Sequence, residues 1–250
     1  MMLSIVIITW NSLELLQDCI SSLDVVRQSE DVEVLLVDNG SKDDSVSFIS
    51  QHYPSVKIIE LGENKGVAYA RNRGIEQSSG EYLLLLDNDT IANEQAIEGM
   101  LQFLKNHSDV GICGCKLMDN NQVQESYKSY PGIVVKIKNL LNCQSKHSVL
   151  ETAQTNSEVI EPVYLIGACQ MIRRELINDI GLLDEKIFYG PEDADFCLRA
   201  RNAGWRVCYL PQYSIIHHWQ RLTNKKLFSL LAYKHIHALF YFYWKHKRLF

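Results

Sequence analysis

The 250-residue chain has no acidic residue after Asp195. All 30 Asp and Glu lie at or before that position, whereas 10 of the 25 Lys and Arg follow it. Residues 1–195 therefore set 15 basic against 30 acidic side chains, a net of −15, and the remainder carries +10. Such asymmetry bears on partners rather than on fold. Also missing is any run of about 18 apolar residues, so no segment reads as a membrane-spanning helix. The opening residues, MMLSIVIITWNS, lack a basic leader and turn polar after a short apolar run; they read as a strand, not a secretion signal. Low-complexity tracts and internal repeats are absent, which argues against linkers and solenoids. The cysteines (Cys19, Cys113, Cys115, Cys143, Cys169, Cys197 and Cys208) form no CxxC pair and are odd in number. They fit a reduced, cytoplasmic compartment better than a disulfide framework or a zinc site. Cys113 and Cys115 fall in VGICGCKL, which reads as a strand with small residues.

What is present is ordinary in composition, 46% hydrophobic and 22% charged. The length suits one large α/β domain, with or without an extension. Apolar runs and helical periods alternate: LSIVIIT, VEVLLVD, SVKIIEL and EYLLLLD read as strands, separated by the helical stretches LELLQDCISSL, DDSVSFISQHY and GVAYARNRGIEQS. Repeated βαβ units predict a mostly parallel sheet flanked by helices. Ligands in such sheets bind beyond the carboxyl ends of the strands. The polar residues there are Thr9 and Asn11, Asp38 and Asn39, then Asp87 and Asp89. In YLLLLDNDTI the last pair has two explanations. It is either a turn with Asp89 or Thr90 capping a helix from Asn93 to Leu104, or a carboxylate pair for a divalent cation. Regularity fades between Asp119 and Glu161, as in a functional loop or lid. Beyond it VYLIGACQMIRR reads as a strand, ELINDIG and PEDADFCLRARNAG as helices, WRVCYL and YSIIHHW as short strands, and the end of the chain as an aromatic helix.

Taken together and in order, Asp38 in VDNGSKD, the block NKGVAYARNRGI, Asp87 and Asp89 in LLLLDNDT, and FYGPEDADFCLR resemble the family 2 glycosyltransferases. These are inverting enzymes of the GT-A fold, and the likeness extends from Leu3 to about Thr223, closest in kind to bacterial rhamnosyltransferases. The resemblance implies a catalytic domain over 1–223, with a nucleotide-sugar-binding half (1–118) and an acceptor-binding half (119–223), followed by a basic helix at 224–250. It also implies that Thr9, Trp10, Asn11 and Asp38 hold the base and ribose of a UDP- or dTDP-sugar, and that Asn64, Lys65 and Arg71 continue this pocket. A buried carboxylate at Asp38 suits the N3 hydrogen of uracil or thymine. Asp87, Asn88 and Asp89 match the DxD motif, Asp89 ligating Mg2+ or Mn2+ and Asp87 shared between ribose and metal. Asp193 matches the general base and Glu192 its neighbour toward the acceptor, although every carboxylate there also suits a helix N-terminus. Asp195 and Arg199 look like a structural i, i+4 pair. His217, favoured over His218, matches the histidine that completes the metal site, and Gln220 and Arg221 lie where donor phosphates are approached. The QxxRW signature of processive synthases is absent, which implies transfer of one or a few sugars.

The tail sets Lys225, Lys226, Lys234, Lys245, Lys247 and Arg248 around Phe240, Tyr241, Phe242, Tyr243 and Trp244. Two readings fit it equally: a helix on an anionic membrane surface near a polyprenyl-diphosphate-linked glycan acceptor, or a helix packed on the catalytic domain or on a second subunit in a homodimer. Nucleic-acid binding does not fit, since the basic residues flank an apolar core. Two rival functions remain at this level. A nucleotidyltransferase is expected to carry a Gly-rich basic signature where this chain has TWNSLE. A non-catalytic sugar-nucleotide-binding scaffold protein would bind donor without turnover.

Overall fold

The computed structural model describes residues 2–128, 158–218 and 230–246. Most of the irregular stretch between Asp119 and Glu161, together with Gln220, Arg221, Lys225, Lys226, Lys247 and Arg248, lies outside the described residues.

In chain order the elements are β1 (Leu3–Thr9), α1 (Leu13–Ser22), β2 (Val32–Asp38), α2 (Ser45–His52), β3 (Lys57–Glu60), α3 (Val67–Gln77), β4 (Tyr82–Asp87), β5 (Thr90–Ile91) and α4 (Glu94–Asn106). They continue with β6 (Val110–Asp119), β7 (Gln122–Gln124), β8 (Tyr127–Lys128), β9 (Tyr164–Leu165), β10 (Cys169–Arg173), α5 (Arg174–Ile180), α6 (Glu192–Asn202), β11 (Arg206–His217) and α7 (Leu230–Lys245). The sheet order is β3-β2-β1-β4-β10-β6-β11-β5, with β7 beside β6. β1 to β4 are mutually parallel, as expected from repeated βαβ units. β10 then enters antiparallel between β4 and β6, and β11 runs parallel to β6, so the sheet as a whole is mixed.

Alternation along the strands divides the core. Leu3, Ile5 and Ile7 of β1 face one layer with α1, α2 and α4, whereas Val6 faces the other with α3, α5, α6 and α7. These strands are buried on both faces, which is why their sequences are nearly all apolar. α3 lies so close to the sheet that a Cβ at Gly74 would stand 2.3 Å from Val6 Cγ1.

Three local expectations need correction. Neither Thr90 nor Asp89 caps α4: Asn93 does, its side chain accepting from the Ala96 amide, while Thr90 pairs within β5 and its hydroxyl closes the turn on the Asp87 carbonyl at 2.8 Å. VYLIGACQMIRR is not one strand, because around Gly167 the backbone turns aside to meet Arg71 and Asp193. WRVCYL and YSIIHHW instead form the single strand β11, whose register slips between Leu210 and Ser214, where Pro211 has no amide to give the ladder. No helix among the described residues is long and apolar enough to cross a membrane.

Candidate active site

β1 lies between β2 and β4, so the strand ends bring Thr9, Asp38 and Asp87 side by side: Thr9 is in register with Asp38, and Ile8 with Asp87. Asp38 is buried, and its carboxylate accepts from the Gly40 and Ser41 amides. Two donors leave lone pairs of a charged acceptor for a further partner. Asn39 links this end to the next loop, donating to Asn64 Oδ1 and accepting from the Lys65 amide. Thr9 accepts from Asn88 Nδ2 at 3.0 Å. Asn11 holds the Lys42 amide through its side chain, and Trp10 is exposed. The Lys65 ammonium is turned to the surface, 3.5 Å from Glu63 and over the Tyr69 ring.

The second DxD carboxylate meets residues more than a hundred positions away through β5. That two-residue strand pairs His217 with Thr90, and the His218 amide donates to the Asp89 carbonyl at 2.8 Å. One ligand atom each of Asp87, Asp89 and His217 then falls within 4.8 Å of the others, and of the two histidines it is His217 that joins the group. Gln124, which the sequence did not single out, orients it. Gln124 Nε2 donates to the His217 carbonyl at 2.7 Å, so its Oε1 is left as acceptor for His217 Nδ1 at 2.8 Å. An imidazole proton therefore sits on Nδ1, and Nε2 faces Asp89 Oδ1 at 3.4 Å. That oxygen is buried with no hydrogen-bond partner. With Nε2 unprotonated these are two facing acceptors, which a divalent cation on Asp87, Asp89 and His217 would bridge; with Nε2 protonated, the imidazolium itself pairs with Asp89. Burial opposes a charged imidazole, but the Asp89 carboxylate prevails and raises the His217 pKa above its ordinary value.

Arg71 is buried beneath this group. Its Nη2 donates to Asp87 at 2.7 Å and to the Gly167 carbonyl at 2.8 Å, and its Nη1 lies 3.6 Å from Glu192. The guanidinium thus joins the Asp87 carboxylate to the first turn of α6. Glu192 is buried with Oε2 unpartnered; burial and then the adjacent Asp193 charge push its pKa up to about 7 against the pull of Arg71. Asp193 is more open and accepts from the Gly167 amide at 3.2 Å and the Ala194 amide at 2.7 Å. Asp195 points the other way: burial disfavours its charge, yet His246, Lys245 and Arg199 outweigh it and hold its pKa at about 2. Its 2.9 Å contact with Arg199 is the expected i, i+4 pair. Asp87, Asp89, His217, Arg71, Glu192 and Asp193 are thereby gathered at one end of the sheet, with Asp38 on the far side of β1.

The chain is 27% identical over 258 residues to the N-acetylglucosaminyl-diphospho-decaprenol L-rhamnosyltransferase of Mycobacterium tuberculosis, covering 93% of this chain and 81% of that one. In fold it is similar to Staphylococcus aureus TarS 1-349 in complex with UDP-GlcNAc (TM-score 0.63, 20% identity, 90% of this chain). It is also similar to the mannosyltransferase PcManGT of Pyrobaculum calidifontis in complex with GDP-Man and Mn2+ (TM-score 0.62, 16% identity, 98% of this chain). The chain spans 61% and 64% of the lengths of those two solved chains. Both likenesses establish the GT-A glycosyltransferase fold. Residues 4–181, from β1 past the DxD motif to the end of α5, match the family described as Glycosyl transferase family 2, and the chain is a glycosyltransferase of that family.

Proposed function

We propose that this glycosyltransferase moves a sugar, with inversion, from a UDP- or dTDP-sugar to a hydroxyl of a lipid-linked glycan acceptor. The observation that carries the donor half is the buried, unpartnered Asp89 Oδ1 opposite His217 Nε2, a cation site beside the strand ends where a nucleotide diphosphate binds. Asp87, Asp89 and His217 would hold Mg2+ or Mn2+. When bound, such an ion neutralises the diphosphate charge that grows as the sugar departs. The rest of the chemistry belongs to the chain. Asp38 accepts the N3 hydrogen of uracil or thymine, Thr9, Trp10 and Asn11 border the base and ribose, and the Asn64–Lys65 loop closes that side. Arg221 is assigned to the donor phosphates.

Asp193 serves as general base. The acceptor oxygen attacks the anomeric carbon opposite the diphosphate, and its proton passes to the Asp193 carboxylate. The bond from the anomeric carbon to the phosphate oxygen breaks, and its electron pair leaves with the nucleoside diphosphate. Two backbone amides aim the Asp193 carboxylate. Glu192, drawn toward Arg71, supports the acceptor side from beneath.

Support for the acceptor class comes from the mycobacterial relative, whose name specifies a polyprenyl-diphosphate-linked substrate. The same reading takes the protein to the cytoplasmic membrane surface through α7. That helix exposes Tyr233 (68%), Ile236 (38%), Phe240 (59%) and Trp244 (72%) along one face, in a region with no acidic residue. An apolar stripe among basic residues complements an anionic bilayer. The donor assignment is tested by a thermal-shift screen of sugar nucleotides with and without MnCl2. A UDP- or dTDP-sugar is expected to stabilise the protein in a metal-dependent way that Asp89→Ala removes. If no UDP- or dTDP-sugar stabilises it, the donor assignment fails; stabilisation unchanged by Asp89→Ala would remove the metal site.

A further inference from the structure

The inward face of α7 reaches the segment that carries the carboxylates of the site. Ala238, Leu239, Phe242 and Tyr243 are buried, and the last three share a core cluster with Leu183, Ala194 and Phe196. Polar contacts then fix the segment at four points. His235 Nδ1 donates to the Tyr189 carbonyl at 2.9 Å and the Gly190 carbonyl at 3.1 Å, the two residues before Pro191 and Glu192. The Lys234 ammonium lies 3.5 Å from the centre of the Phe188 ring. Tyr241 and Lys245 both bind Asp184, at 2.8 and 2.7 Å. Lys245 and His246 reach Asp195 at 2.7 and 2.9 Å.

On its opposite side the same segment touches the donor loop. The Val67 amide donates to the Phe188 carbonyl at 2.8 Å, and a Cβ at Gly66 would stand 2.5 Å from that oxygen. Residues 184–195 are therefore held between the start of α3 and the inner face of α7. We propose that α7 is a positioning element, in which His235, Lys245 and His246 set the 188–195 segment so that Asp193 meets the acceptor hydroxyl. This rests on Asp193 being the base. None of the three touches the reacting atoms; they act through backbone carbonyls and through Asp195, two residues beyond Asp193.

The contacts divide by strength. Asp195 is fully buried, and its pairing with Lys245 and His246 is charge-assisted, so it anchors the helix end. His235 spends one N–H on two carbonyls, an arrangement suited to orienting a turn rather than to holding the fold together. Loss of the His235 contact is therefore expected to loosen the turn while the fold persists. A displacement near 1 Å at a reacting group costs on the order of tenfold to a hundredfold in rate.

Hydrogen exchange on the full chain tests this without a known acceptor. His235→Ala is expected to speed exchange at least tenfold at two distant amides, Val67, bonded to Phe188, and Asp195, bonded to Pro191, while β1 and α2 stay protected; His235→Asn, which keeps a donor, restores protection. His246→Ala provides a second variant at the other anchor and is expected to loosen the Asp195 amide. In turnover of the UDP- or dTDP-sugar found by the thermal-shift screen, His235→Ala lowers kcat about tenfold or more and leaves the donor KM within about twofold. Unchanged exchange in both variants, or equal loosening of all elements, would overturn the proposal. Asp193→Asn separates the two claims: if it retains turnover the base assignment fails, and the exchange result still decides whether α7 positions the segment.

Discussion

Asp89 and His217 lie far apart in sequence, yet their side chains meet in the Asp87–Asp89–His217 group, and a third residue orients the imidazole. Gln124 accepts the Nδ1 proton of His217 and so turns Nε2 toward Asp89. Partners of this kind typically contribute 10- to 100-fold in metal affinity. Gln124→Ala is accordingly expected to weaken Mn2+ binding by roughly that factor, as measured by isothermal titration calorimetry, and to lower the melting temperature without metal as well, since it leaves the buried His217 carbonyl and Nδ1 unpaired at a cost of about 1–3 kcal/mol. Affinity equal to the wild type would remove Gln124 from the site. Asp87, Asp89 and Asp193 were legible in the sequence because each sits at a strand end or helix start within a recognisable block. Gln124 was not, because it lies on the three-residue strand β7 inside an irregular stretch, where nothing local marks it. Arg71 was singled out in the sequence through NKGVAYARNRGI. Its burial and its pairing with Asp87 and Glu192 depend on the turn at Gly167, 96 residues away, which periodicity does not reveal.

At the scale of elements, the parallel half of the sheet followed from alternation of apolar runs with amphipathic stretches. What alternation missed were the interruptions: the turn between β9 and β10, set by tertiary contacts to Arg71 and Asp193, and the irregularity at Pro211, which bends β11 without ending it. The antiparallel entry of β10 was likewise invisible, since a short apolar strand does not encode its direction. Close packing of α3 on β1 has a direct test. Gly74→Ala improves helix propensity by about 1 kcal/mol. The added methyl nevertheless meets Val6 Cγ1 at 2.3 Å, and overpacking of this kind costs about 1–3 kcal/mol. Urea unfolding is expected to show net destabilisation, partly relieved when Val6→Ala is combined with it. Stabilisation by Gly74→Ala alone would contradict the packing.

For the molecule as a whole, the division of charge takes on a spatial meaning. The acidic region holds Asp87, Asp89 and the carboxylates of α6, while the basic end contributes His217 and α7, which packs inward on residues 184–195 and turns four large apolar side chains outward. The sequence left membrane docking, or packing on the catalytic domain or a second subunit, as alternatives for this tail; packing on the catalytic domain is observed on one face, and Tyr233, Ile236, Phe240 and Trp244 lie exposed on the other. Sedimentation with vesicles is expected to recover the protein on phosphatidylglycerol and not on phosphatidylcholine, with Phe240→Glu and Trp244→Glu together abolishing recovery. A dimer in solution that the same pair of substitutions dissociates, without vesicle binding, would assign the stripe to a second copy instead. Inverting transfer by Asp193 is the claim on which the rest depends. Its most direct test is Mn2+-dependent turnover of a UDP- or dTDP-sugar by wild type and Asp193→Asn, alongside calorimetric UDP affinity. Asp193→Asn is expected to lose at least about a hundredfold in turnover while keeping UDP affinity within about twofold; turnover that survives the substitution, or that is lost together with UDP binding, would rule Asp193 out as the base.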